Sequence, residues 1–188
     1  MLPAPVIVTE YDPQWPVWFE ALARVYHRAL RGLGVTVEHV GSTAVPGLAA
    51  KPILDIDLVL PSPAVLPELL ARLAALGYRH EGERGIPGRE SFAREGEDVP
   101  REGDGVPPEG RARWPAHHLY ACVAGAPALE RHLRFRDWLR GHPDDAAAYA
   151  RLKWRLAALH RDDRERYTDA KSELIERILL RIPPETEE

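Results

Sequence analysis

The amino-acid sequence predicts an α+β protein: one domain over residues 1–188, with a sheet-bearing part over about 1–125 and a helical part over about 126–182. Three observations carry this. The run ILDIDLVL, Ile53 to Leu60, has the apolar content of a buried strand, and Val35, Val37 and Val40 alternate just before it, so a glycine- and proline-rich turn is flanked by two strands. Upstream, Trp15, Trp18, Phe19, Leu22, Val25, Tyr26 and Leu30 recur at helical spacing, an apolar stripe that must pack on something broad such as a sheet. Downstream, three helix candidates finish the chain as a helical half beside the sheet.

Taken in order, Pro5 to Thr9 alternates weakly and reads as a short edge strand, and Tyr11-Asp12-Pro13 as a turn. The aromatic-striped helix spans Gln14 to Arg31 and is ended by Gly32 and Gly34. After the strand–turn–strand unit, Ser62 is the expected N-cap of a helix with Pro63 at its first position; Val65, Leu66, Leu69, Leu70, Leu73 and Leu76 form one face, and Gly77 is the stop. Short strands are expected at Tyr78 to Glu81 and Glu90 to Arg94. Glu95 to about Arg113 is rich in glycine, proline and charge, so it is expected to be a surface loop, either a lid or an insertion with no role. HHLYACV, His117 to Val123, reads as a buried strand with His118, Tyr120 and Cys122 on one face and Leu119 and Ala121 on the other. The closing helices are expected over Ala128 to Arg140, Asp144 to His160 and Arg164 to Ile182.

Composition narrows the function classes. With 45% hydrophobic and 29% charged residues the chain is ordinary globular material, and its net charge of -4 argues against nucleic acid as the main partner. A single cysteine, Cys122, rules out an internal disulfide framework and fits a reducing compartment, where it serves as a small core residue. Neither a signal peptide nor an apolar run long enough for a bilayer is visible, so a soluble cytoplasmic protein with no membrane partner is the expectation. The oligomeric state stays open.

The chemistry concentrates in His39 to Leu60, HVGSTAVPGLAAKPILDIDLVL. Asp55 and Asp57 are two residues apart on a strand and project from the same face, where two carboxylates repel unless a cation, a proton or a positive side chain lies between them. Hard oxygen ligands at that spacing suit magnesium, or manganese in its place, with water and substrate phosphate completing the shell. Gly41 and Ser42 fit the same chemistry, since glycine lets backbone N–H groups approach an anion and serine adds a donor. Alone, either motif is a strand end or a turn; their conjunction points to phosphate. Lys51 in the turn, Arg136 in LRFRDWLR, Lys153 in AYARLKWRLA, and Tyr167 with Lys171 one helical turn apart complete the candidate phosphate-binding set. The alternative for each cation is a solvated helix surface with salt bridges, for example Arg136 with a nearby acid.

These residues match a known pattern. The blocks YDPQWPVWF, HVGSTAVPGLAAKPILDIDLVL, HHLYACV, HLRFRDWLR, AYARLKWRLA and YTDAKSELI, in that order and over nearly the whole chain, resemble the GrpB family of the DNA polymerase beta-like nucleotidyltransferase superfamily, also found attached to some dephospho-coenzyme A kinases. The resemblance implies a nucleotidyltransferase-like mixed β-sheet packed with helices. It implies that Gly41 and Ser42 hold nucleotide phosphates and that Asp55 and Asp57 bind Mg2+ or Mn2+. The superfamily often has a third carboxylate on a later strand; HHLYACV has none, and His118 would substitute as base or ligand, though imidazole is a poorer match for a hard ion. Glu38 is another acid near the turn. The implied function is metal-dependent transfer of a nucleotidyl group from a nucleoside triphosphate to an acceptor; the alternative is a non-catalytic module binding a nucleotide or a coenzyme A precursor.

Overall fold

A computed structural model describes residues 5–94 and 115–183. In chain order the elements are α1 (Gln14–Ala29), β1 (Thr36–Val40), a single helical turn at Ser42–Ala44, β2 (Leu54–Leu60), α2 (Leu66–Ala75), β3 (Tyr78–Gly82), β4 (Arg89–Arg94), β5 (His117–Val123), α3 (Pro127–Gly141), α4 (Pro143–Leu159), α5 (Arg164–Asp169) and α6 (Ser172–Leu179). The five strands form one mixed sheet in the order β1-β2-β5-β4-β3, in which β2 and β5 are parallel and the other neighbours antiparallel. The α+β arrangement expected from the sequence is therefore present, with helices on both faces of the sheet.

Period-two alternation decides which face each side chain takes. Leu54, Ile56, Leu58 and Leu60 of β2, with Leu119 and Ala121 of β5, pack against Trp15, Leu22, Tyr26 and Leu30 of α1 and the α1–β1 connection and against Leu69 and Leu73 of α2. The opposite face carries Asp55, Asp57 and Val59, whose register partners are His118, Tyr120 and Cys122. Helix α3 lies over this second face, where Ala128 and Leu129 pack on Cys122. Cys122 is buried as a free thiol, as its apolar strand predicts.

Several local expectations change. Pro5 to Thr9 forms no sheet strand: among the described residues Thr9 makes a single isolated bridge, to Ala50, and the Val6 N–H donates to the Arg161 carbonyl at 2.7 Å. Val6 and Val8 are instead buried among Ala49, Leu156 and Tyr167, so weak alternation here serves helix packing. Ser62 makes no side-chain cap bond; it precedes a short helical turn, Pro63–Val65, that leads into α2. The first helix ends at Ala29, two residues before Arg31, followed by a turn through Gly32 and Gly34, both at positive φ. The expected helix from Arg164 to Ile182 is divided into α5 and α6. Its two halves serve different cores, Tyr167 that of Val6 and Leu156, and Ile178 that of Val45, Leu48 and Leu139, so the chain turns at Ala170 and Lys171 between them. Helical periodicity runs through such a break without recording it. The loop expected over 95–113 lies outside the described residues, among which no helix is long and apolar enough to cross a membrane.

Candidate functional site

Strand β1 ends at Val40 and hands the chain to Gly41, whose φ of 70° and ψ of -169° lie in a region that side-chain-bearing residues rarely occupy. A Cβ built there would stand 2.2 Å from Asp55 Oδ2, so only glycine lets the turn close against that carboxylate. The turn is fixed from behind. His39 is buried, stacks on Phe19 with ring centroids 4.6 Å apart, and bonds Thr43 Oγ1 through Nε2 at 3.0 Å; burial pushes its pKa down to about 4, so it is neutral. Arg140 donates twice to the Ala44 carbonyl, at 2.8 and 3.0 Å.

Asp55 and Asp57 share a face as expected but not an environment. Asp55 has a third of its side chain exposed and accepts from His118 Nδ1 at 2.7 Å. Arg164 contacts His118 Nε2 at 3.0 Å, and because a guanidinium only donates, Nε2 must accept and the imidazole proton resides on Nδ1. Burial pushes the Asp55 carboxyl up, but the hydrogen bond from His118 and the nearby positive charge, including that of Lys51, outweigh it and hold the group below the usual carboxylate range. Asp57 is completely buried. Its Oδ2 accepts from His132 Nδ1 at 2.7 Å, and its Oδ1 has no hydrogen-bond partner among the described residues.

A cavity of about 370 Å³ opens over Asp55. Gly41, Ser42, Lys51, Asp55, His118, Lys153, Tyr167 and Lys171, all singled out in the sequence, line it together. Three lysines distant in sequence meet here. Lys51 and Lys171 both approach the Tyr167 ring, their ammonium nitrogens 5.5 and 4.4 Å from its centroid. Lys153 is only 2% exposed, donates to the Ala49 carbonyl and lies 4.5 Å from the Tyr149 ring centroid. Burial, then the neighbouring Lys171, lowers Lys153 to about 7; burial, then Lys51, lowers Lys171 to about 8. Burial and Arg164 lower Lys51 too. Cations crowded so closely in a partly dry pocket gain most from a polyanion that reaches several of them at once.

Two sequence-predicted residues stand apart. Asp57 sits behind the cavity wall and is not part of its lining. Arg136 is pinned elsewhere, donating to Glu38 Oε2 at 2.7 Å, to the His39 carbonyl at 3.0 Å and to both carboxylate oxygens of Asp137. Burial alone would lower its guanidinium, but those acids raise it, and the side chain braces the strand leading into Gly41 instead of facing the cavity. Glu38 is likewise committed to Arg136. Conversely, His132 and Arg164 line the cavity and lie outside the set that the sequence predicts. For His132 a signal existed: it precedes Arg136 by one turn of α3, so any orientation bringing Arg136 to the sheet brings His132 too.

The carboxylates can be tested against a divalent ion. Among the described residues no three or more His, Cys, Asp or Glu side chains converge as a metal centre. The pair nonetheless keeps a buried oxygen, Asp57 Oδ1, with no hydrogen-bond partner among the described residues, and Gly41, having no Cβ, does not crowd Asp55 Oδ2. That donor set fits a hard ion that takes one or two protein carboxylates and completes its shell with water and substrate oxygens.

The GrpB protein family matches residues 5–181. The chain belongs to the GrpB family. The crystal structure of conserved protein GrpB from Enterococcus faecalis superimposes with a TM-score of 0.68 at 31% identity, covering 92% of this chain and 99% of that one. UPF0157 protein PA4798 of Pseudomonas aeruginosa is 46% identical over 171 residues, which is 90% of this chain and 64% of that protein. A dephospho-CoA kinase of Mycolicibacterium paratuberculosis is 33% identical over 164 residues, 80% of this chain but 39% of the kinase. The chain thus spans only part of the length of these two relatives.

Proposed function

We propose that this GrpB chain is a metal-dependent nucleotidyltransferase that binds a nucleoside triphosphate over Gly41 and Ser42 and transfers the nucleotidyl group to an acceptor, with pyrophosphate leaving. One observation carries the reading: Lys51, Lys153, Arg164 and Lys171 line one cavity together with Gly41, Ser42 and Asp55. Lys51 and Lys171, held against Tyr167, take the phosphate oxygens, while Ser42 and the turn contact them from below. Mg2+ or Mn2+ held by Asp55 and Asp57 would stabilise charge developing on the transferred phosphoryl group. His118 orients Asp55 through Nδ1–H; His132 does the same for Asp57.

The test is incubation with labelled nucleoside triphosphates, magnesium or manganese, and cell extract. Transfer by wild type that falls by orders of magnitude in Asp55→Asn supports the reading. Equal signals from wild type and Asp55→Asn plus Asp57→Asn would sink it.

A second reading has its own support. Asp57 is fully buried and bonded to His132, which favours a module that binds a nucleotide or a coenzyme A precursor without turnover. Calorimetry with magnesium and either nucleoside triphosphate or dephospho-coenzyme A separates the two: saturable binding with no product under any condition selects the module. A GrpB segment alongside dephospho-CoA kinase sequence brings that metabolite into the panel without establishing it as the ligand.

A further inference from the structure

We propose that a second cavity, next to the phosphate pocket on the β4 side, binds a small molecule through a carboxylate or phosphate group recognised by Arg89 and Ser91, and that this molecule is the acceptor. The cavity measures about 870 Å³ and shares Ile53, Arg89, His118, Tyr120 and Arg164 with the phosphate pocket, so the two adjoin across a common wall. Volumes of this order hold small-molecule ligands.

What points to an anion is unpaired hydrogen-bonding capacity. Arg89 and Ser91 are two residues apart on β4, and their register partners are Cys122 and Tyr120, so both belong to the face that carries Asp55 and Asp57. Ser91 is 4% exposed, yet its Oγ has no hydrogen-bond partner among the described residues. Arg89 Nε is buried and equally unpartnered among the described residues, while its guanidinium carbon lies 4.3 Å above the Tyr120 ring centroid, a stack that fixes where the fork points. Buried donors left without acceptors each cost about 1–3 kcal/mol and are rare in folded proteins. Two of them side by side, one on a fixed cation, match an oxyanion that accepts from both. The ligand's remaining atoms would then extend toward His118 and Asp55, where its nucleophile meets the nucleotide.

Naming this ligand the acceptor rests on the transfer reading; its binding does not. The experiment is calorimetric titration of the full chain with inorganic phosphate, repeated with acetate, in wild type, Lys51→Ala plus Lys171→Ala, Arg89→Gln and Ser91→Ala. The expected result is two phosphate sites. The lysine double variant loses one and keeps the other, while Arg89→Gln and Ser91→Ala each weaken the second about tenfold, and Ser91→Ala, whose residue lines the second cavity alone, spares the first. Acetate competing at the second site marks a carboxylate ligand, and phosphate alone marks a phosphate monoester. A single site governed by the lysines, or a second site unchanged in Arg89→Gln and Ser91→Ala, overturns the proposal. Should Arg89→Gln fail to fold, Ser91→Ala decides, since it removes one hydroxyl and leaves the stack on Tyr120 in place. Failure of the nucleotide reading looks different: the lysine double variant then leaves nucleoside triphosphate titrations unchanged.

Discussion

On one face of β2, Leu54, Ile56, Leu58 and Leu60 lie under α1 and α2 with at most 2% of their surface exposed; on the other, Asp55 shares a cavity with lysines and histidines and Asp57 is bonded to His132. The first face is held by dispersion and burial, which are non-directional and spread over many partners, so no single contact is decisive. The second is directional. Each carboxylate has one histidine and each histidine one orientation, and removing a partner leaves a buried charge or an orphaned donor. The same strand therefore divides stability from chemistry between its alternate residues.

Substitutions on the two faces should separate those roles. The largest stability effect is expected from Leu58→Ala, about 2–5 kcal/mol in urea unfolding, with triphosphate affinity per folded molecule unchanged. Lost affinity at full folding would break the division. Next is Lys153. Its pKa is about 7 in the folded protein against an ordinary 10.5, so the unfolded chain binds the extra proton between those values. Stability contributed by this group must then rise with pH from about 7 toward 10.5, the penalty being complete below about 7. Comparing wild type with Lys153→Met by thermal unfolding from pH 6.5 to 9.5 should show wild type gaining on the order of 3 kcal/mol relative to the variant. A flat difference would mean that Lys153 titrates normally. Gly41→Ala is expected to cost about 2 kcal/mol through its positive φ and its clash with Asp55, and to abolish transfer while the apolar face stays intact by near-ultraviolet dichroism. The smallest effect is that of Lys171→Ala, about tenfold in triphosphate affinity with little change in melting temperature; equal affinity would remove Lys171 from the phosphate site.

Much of this division was legible before any coordinates. ILDIDLVL places its aspartates on one face and its leucines on the other by alternation alone, and HHLYACV sends His117 and His118 to opposite sides, His117 to Tyr26 and Tyr78, His118 to Asp55. The convergence of Lys51, Lys153 and Lys171 has no local signature, because it depends on how α4 and the turn between α5 and α6 dock. Arg136 shows the opposite limit. Its acids are a strand residue 98 positions earlier and its own neighbour, so only tertiary contact reveals a brace where the sequence suggests an open phosphate partner. His132 was hidden because helical spacing says which residues share a face without saying what the face meets.

The parallel pairing of β2 with β5 has a kinetic consequence. Asp55 and His118 are 63 residues apart, and the strands that carry them are neighbours in the only parallel pair of the described sheet. A hairpin cannot join parallel strands, so everything from α2 to β4 must be threaded between them before the pair can close, an entropic cost borne ahead of any contact it rewards. The β1–β2 hairpin with its glycine turn can form early, as a local event, carrying Asp55 with no histidine to receive its hydrogen bond. Arrival of β5 supplies that partner and the wall of the cavity in one step. Recovery of ligand binding during refolding should therefore lag the formation of the first hairpin and keep pace with closure of the central strands.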